Sequence, residues 1–128
     1  MIKVYIPSSQ EFKKYEKECK NLYENLRDKI SDPNSFEFIR DETFFFLFTN
    51  DETLIGAIYY FIMPDGRLFF NAFSKRKMYE IAQKCLKMTF DWFHKPIYAE
   101  AQNRASAICL LRQGFKKLDK NIFCLENN

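Results

Sequence analysis

The sequence predicts one mixed α/β domain spanning residues 1–128, built on a largely antiparallel central sheet. Three observations carry that expectation. Two long stretches repeat their apolar residues at helical spacing, one before and one after a block of strand-like segments. Those segments are separated by short clusters of Asn, Asp, Pro and Gly, the residues of tight turns. The 15 Phe and 7 Tyr suit half-buried strands better than a helical bundle.

Each element can be justified in turn. Ile2, Val4 and Ile6 alternate with Lys3 and Tyr5, giving a first strand that Pro7 ends. Ser8 or Ser9 then caps a helix with Glu11 in its first turn. Phe12, Tyr15, Cys19, Leu22, Leu26 and Ile30 form its apolar side. Residues 31–35, SDPNS, are a turn-rich break. Residues 36–48 read as strand, with a charged interruption at Arg40 to Glu42 before the run FFFLF. Asn50, Asp51 and Glu52 make a hairpin turn. Residues 53–63 form the longest strand. Leu54, Gly56, Ile58, Tyr60 and Ile62 take one face and Ile55, Ala57, Tyr59 and Phe61 the other, so it belongs inside the sheet. Gly56 marks a bulge or a close backbone approach. The turn Pro64-Asp65-Gly66 returns the chain into residues 67–73, completing an antiparallel meander.

Residues 74–93 carry the second helical repeat, through Met78, Ile81, Ala82, Cys85, Leu86, Thr89, Trp92 and Phe93. Lys75, Arg76 and Lys77 crowd its first turn, where the helix dipole disfavours cations unless an anion sits there. His94 follows and reads as a helix-end residue. Residues 96–115 then form a strand–helix corner. Residues 97–101 are extended, Asn103 is a good N-cap, and Ala105, Ile108 and Leu111 line one helical face. Gly114 ends the helix in a left-handed conformation, and Phe115 restarts a strand. Residues 115–118 and 122–125 close the chain as a hairpin. The expected order is β-α-β-β-β-α-β-α-β-β.

The balance of 47% apolar and 29% charged residues buries a core and leaves a polar surface. The net charge of +3 is too mild, and its cations too scattered, to point to nucleic acid. Cys19, Cys85, Cys109 and Cys124 lie far apart with no CxxC pair and no His at ligand spacing, so they read as reduced, packed thiols and not as a metal site. No apolar run is long enough to span a membrane, and no signal-like segment opens the chain, so a cytoplasmic location is expected.

The element order and the segment around Asn103 together resemble the GNAT superfamily of acyl-CoA-dependent N-acyltransferases. Members tend to show an Asn after the fifth main strand, a small residue two further on, and a Gly-Phe pair whose Gly is eleven residues after the Asn. Asn103, Ala105, Gly114 and Phe115 match. LIGAIYYFI looks like the family's third strand, with its early Gly. The resemblance is specific over residues 44–126 and holds only in element order before that. It implies acetyl-CoA as cosubstrate and an amine as acceptor. Phe73, Ser74, Lys75, Arg76 and Lys77 would then face the cofactor's phosphates, and Asn103 its pantetheine arm. Glu100, at the end of the fifth strand, would be the catalytic base. A backbone N–H between Asn71 and Phe73 would be the oxyanion donor.

Two departures stand out. The family's glycine-rich pyrophosphate loop is replaced by FSKRKMY, which has no Gly. Side-chain cations would have to do what backbone amides do elsewhere. Leu110 stands where many members carry a Tyr that protonates the leaving thiolate; Tyr59, Tyr60, Tyr98 and Cys109 are the substitutes nearest in sequence. Such assistance is typically worth about 10²–10⁴-fold. The primary expectation is an N-acetyltransferase. The alternative is a catalytically inactive interaction or assembly protein on the same fold, of a kind also resembling phage-encoded chains. The aromatic excess leaves room for a homodimer.

Overall fold

The computed structural model describes residues 1–30 and 32–126. The chain runs β1 (Ile2–Tyr5), α1 (Gln10–Ile30), α2 (Phe36–Glu42), β2 (Phe44–Asn50), β3 (Thr53–Ile62) and β4 (Leu68–Ser74). A 3-10 turn (Arg76–Met78) leads into α3 (Tyr79–Phe90), followed by β5 (Ile97–Glu100), α4 (Arg104–Arg112), β6 (Lys116–Lys117) and β7 (Ile122–Leu125). The strands form a seven-stranded sheet in the order β1-β2-β3-β4-β5-β7-β6. All neighbours are antiparallel except β4 and β5.

Helices cover both faces. Phe12, Cys19 and Tyr23 of α1 and Phe36 and Ile39 of α2 pack on Phe45, Leu47, Leu54, Ala57, Tyr59 and Phe73. On the other face Cys85, Leu86 and Phe90 of α3 and Leu110 of α4 pack on Phe48, Ile58, Tyr60, Phe70 and Phe123. Phe70, Phe90 and Phe115 meet there with ring centroids 5.4 to 6.0 Å apart. Each such side chain removed from water contributes about 1.5–3 kcal/mol.

The meander, the hairpins and the internal position of β3 match the sequence reading. Asp51 and Glu52 both take positive φ, as a two-residue hairpin turn of this hand requires. Five details differ. Residues 36–42 are helical, not extended. Ser35 caps α2 by accepting from the Phe38 backbone N–H at 3.1 Å, and Phe36 and Ile39 are buried at a three-residue step. Ser31, at the start of the preceding break, lies outside the described residues.

Strand β3 does not alternate cleanly. Phe48 pairs with Gly56 but Thr49 with Leu54, so Ile55 is an extra residue in the ladder. That bulge places Leu54 with Ala57 and Tyr59 beneath α1, and Ile55 with Ile58 and Tyr60 beneath α3. The second long helix starts five residues late, after the 3-10 turn, and ends at Phe90. His94 is thus exposed beyond the helix and does not cap it.

In α4 the buried residue is Leu110, with Ala107 packed beside it, while Ile108 and Leu111 are 41% and 53% exposed. The expected face of Ala105, Ile108 and Leu111 therefore turns outward. The helix end decides this. Gly114, at φ 98°, lets its own N–H reach the Leu111 carbonyl and the Phe115 N–H reach the Leu110 carbonyl. That pair of hydrogen bonds brings Phe115 and Leu110 onto the same buried side.

Among the described residues, no helix is long and apolar enough to cross a membrane.

Candidate active site in the sheet splay

The sheet is interrupted where its one parallel pair meets. Strands β4 and β5 are paired only at Leu68–Ile97 and Phe69–Tyr98. From Phe70 to Ser74, β4 continues without β5, although β3 accompanies it to Ser74. One edge of β4 therefore faces open space, and its peptide groups there have no strand partner.

On the α3–α4 side the opening is a cleft. Ala72, Phe73 and Ser74 of β4, Gly56 of β3, and Tyr79, Gln83 and Leu86 of α3 line a cavity of about 140 Å³. Ala72 is exposed although it lies mid-strand, because no helix covers it. Tyr79 and Gln83 also border a second cavity of about 400 Å³, whose far wall is Ala105, Cys109, Arg112 and Gln113 of α4. The two walls touch through polar bonds. The Cys109 thiol and the Gln113 amide both donate to Gln83 Oε1, at 2.9 and 3.0 Å. Tyr79 shares a hydrogen bond with Cys109, which holds its phenol above the ordinary range, with burial adding to the effect.

The expected phosphate ligands do not converge. Phe73 and Ser74 line the smaller cavity. Lys75 instead reaches across to α1, where its Nζ pairs with Glu18 at 2.5 Å. Arg76 and Lys77 line a different groove, between α3 and the first hairpin, together with Met1, Asn50 and Lys84. Neither Lys75 at the 3-10 turn nor Met78 at α3 supplies a side-chain cap. Asn103 is the N-cap of α4, its Oδ1 accepting from the Ser106 N–H at 2.9 Å.

Glu100 is exposed at the end of β5, where it pairs with Ile122 of β7. By strand alternation from Tyr98 it projects to the α1–α2 side, opposite the α3–α4 cleft. Asn71, two residues past Phe69, flanks the same side of the opening, and its Nδ2 donates to the Tyr59 hydroxyl at 3.3 Å.

The four substitute proton donors are also placed. Tyr60 is buried, bonded to Thr89 at 2.6 Å. Tyr59 bonds to Asp32 at 2.5 Å beneath α1. Tyr98 stacks on Phe69 beneath the Arg67 guanidinium. Cys109 alone among them borders the cleft, and Leu110, its neighbour, is 6% exposed and points into the core. Tyr79, Gln83, Arg112 and Gln113 were not singled out by sequence; the only available signal was the four-residue step of Tyr79 and Gln83 along one helix face. The four cysteines are unbridged. Burial pushes the Cys85 thiol up to about 11 and raises Cys19 further. Among the described residues no three His, Cys, Asp or Glu side chains cluster as a metal site.

A mixed seven-stranded sheet, splayed between its fourth and fifth strands and flanked by two helices on each face, defines the GNAT N-acetyltransferase fold class. Solved structures agree. An N-acetyltransferase from Staphylococcus aureus Mu50 superimposes with a TM-score of 0.76 at 13% identity, over 98% of this chain and 97% of the other. The ribosomal-protein-S5-alanine acetyltransferase of Vibrio fischeri gives 0.69 at 16% identity, over 99% and 93%. The Campylobacter jejuni N-acetyltransferase PseH, in complex with acetyl coenzyme A, gives 0.62 at 16% identity over the full length of both chains. No family model and no curated protein sequence matches this chain.

Proposed function

We infer that the protein transfers an acetyl group from acetyl-CoA to an amine. The observation that carries this is the unpaired edge of β4 from Phe70 to Ser74, which opens onto a cleft between α3 and α4. An extended chain bearing amides, such as pantetheine, can use that edge as a strand would. The Ala72 N–H, between Asn71 and Phe73, would then be the oxyanion donor, because the β3–β4 ladder turns its neighbours' N–H groups toward β3. The acetyl-CoA complex of a protein with this fold adds support.

In the reaction the amine nitrogen attacks the thioester carbonyl, a C–N bond forms, and the C–S bond breaks. Glu100 is the proposed acceptor of the ammonium proton. The thiolate leaves and takes its proton from solvent or from Cys109, since Leu110 offers none. Arg76, Lys77, Lys84 and Arg112 border the two grooves flanking α3, and they would draw in an anionic cosubstrate. Lys75 would have to leave Glu18 to join them. Asn103 would add a pantetheine contact to its capping role.

Two observations favour the alternative, an inactive module on this fold. The Gln83, Cys109 and Gln113 bonds tie the cleft walls together, and Leu110 is locked in the core.

Titrating acetyl-CoA while following the melting temperature separates the two readings. Acetyl-CoA at 100 times its dissociation constant should stabilise the fold by about 2.7 kcal/mol. No shift at millimolar acetyl-CoA overturns the enzyme reading.

A further inference from the structure

On the α1–α2 side of the splay, a hydrogen-bond chain runs from a buried carboxylate to the opening. Asp32 is 9% exposed and lies between α1 and α2. Its Oδ1 accepts the Asn34 backbone N–H at 2.9 Å, and its Oδ2 accepts the Tyr59 hydroxyl at 2.5 Å. No lysine or arginine forms an ion pair with Asp32 among the described residues. Tyr59 is 1% exposed. Asn71, partly exposed beside the splay, completes the chain.

The chain has a direction. The Tyr59 hydroxyl donates to Asp32 Oδ2, so its proton is not offered to Asn71. The Tyr59 oxygen is then left as an acceptor, and Asn71 must present its NH2 group to it. The Asn71 Oδ1 consequently turns away from Tyr59. Burial and the bond to Asp32 both hold Tyr59 in its neutral form. Glu100 is on the same face, equally without an ion pair among the described residues, and by the β4–β5 register lies two residues past Tyr98 as Asn71 lies two past Phe69. Acceptor oxygens thus collect on this side, while Arg112 borders the other.

We propose that Asn71 Oδ1 and Glu100 form the binding site for a protonated primary amine, and that Asp32 acts through Tyr59 as a positioning residue that fixes the Asn71 amide with its oxygen toward that amine. This rests on the acetyl-transfer reading and deepens it. The site takes a cationic acceptor and disfavours a carboxylate or phosphate at the same spot. An ammonium group donates to both oxygens, and the nucleophile forms once Glu100 takes one proton.

The test is a titration of the full chain, labelled with 15N and saturated with coenzyme A, using propylamine as probe and propionate as control. The Asn71 side-chain amide resonances should move saturably with propylamine and not with propionate. Tyr59→Phe removes the directing oxygen and should weaken propylamine binding about five- to tenfold, the effect of one hydrogen bond. Asn71→Ala, at a partly exposed strand position, tests the site without touching the core. Because Tyr59 acts through Asn71, adding Tyr59→Phe to Asn71→Ala should weaken binding no further, whereas two independent effects would add. Propylamine that leaves Asn71 unmoved, or binds Tyr59→Phe as tightly as the parent, overturns the proposal. The same titration without coenzyme A keeps the two readings apart: failure of acetyl-CoA to bind sinks acetyl transfer, and the amine response is then judged by itself.

Discussion

Gly56 lies so close to the Phe73 carbonyl that a Cβ built on it would sit 2.0 Å from that oxygen and 2.6 Å from the Ser74 Cα. Both contacts are backbone, so no side chain can rotate away. The two residues belong to β3 and β4 where β4 forms the wall of the cleft. Gly56→Ala must push the strands apart. Overpacking of this kind costs about 1–3 kcal/mol, and urea unfolding should show a loss at the upper end of that range. Acetyl-CoA affinity should fall with it, because the displaced segment is the proposed cofactor edge.

Tyr60 and Thr89 make a second exact accounting. The Thr89 hydroxyl donates to the Leu86 carbonyl at 2.7 Å, so Tyr60 must donate to Thr89. Thr89→Val strands the Tyr60 hydroxyl in an apolar core and should cost about 1–3 kcal/mol. Tyr60→Phe with Thr89→Val should cost less than the sum of the single changes. Chemical denaturation of the four proteins of the cycle reads this directly.

Asn103 separates two roles. Its side chain caps α4 at 2.9 Å, and Asn103→Ala should cost about 1 kcal/mol of stability. Asn103→Ser keeps a capping oxygen and should retain stability within a few tenths of a kcal/mol. Its acetyl-CoA affinity should nevertheless drop, because a shorter side chain would lose the proposed pantetheine contact. Equal affinity for the Ser variant and the parent reduces Asn103 to a cap.

The cations flanking α3 give a further prediction. Arg76→Ala and Lys77→Ala should each weaken acetyl-CoA binding, with a smaller salt dependence than the parent protein. Lys75→Ala should do less, because Glu18 already holds that charge. Isothermal titration at two salt concentrations distinguishes the three.

Alkaline pH should destabilise the fold. Burial raises the Cys85 thiol from 9.0 to about 11 and the Tyr23 phenol from 10.0 to about 12. Between each pair of values the unfolded chain releases a proton that the folded chain keeps. Their stabilising contribution is therefore complete below pH 9 and is lost between roughly pH 9 and 12. Melting temperature should fall across that window, and Tyr23→Phe should flatten the fall above pH 10.

Much of this architecture is written locally. The turn at Asp51 and Glu52, the Ser9 and Asn103 caps and the Gly114 exit depend on neighbours a few residues away, and each reads correctly from the sequence. Residues 36–42 misled because Phe36 and Phe38 mimic strand alternation, while the Ser35 cap and the Phe36–Ile39 step decide for helix. The site was less legible. Glu100 and the segment from Phe73 to Lys77 are adjacent in sequence to the right corner, yet Lys75 turns to α1, Arg76 and Lys77 face the first hairpin, and Glu100 faces away from the cleft.

By itself the sequence determined the strand and helix order apart from α2, the internal place of β3 and the fold likeness carried by the segment from Asn103 to Phe115. Those follow from periodicity, turn chemistry and capping, which act over one or two helical turns. Only the tertiary structure decided which faces meet. The bulge at Ile55 inverts the alternation of β3, and the parting of β4 from β5 after Phe69 opens the cleft. The Asp32, Tyr59 and Asn71 chain joins residues 12 and 27 positions apart. Such contacts are fixed by how strands register and helices settle on them, and local propensity carries no record of either.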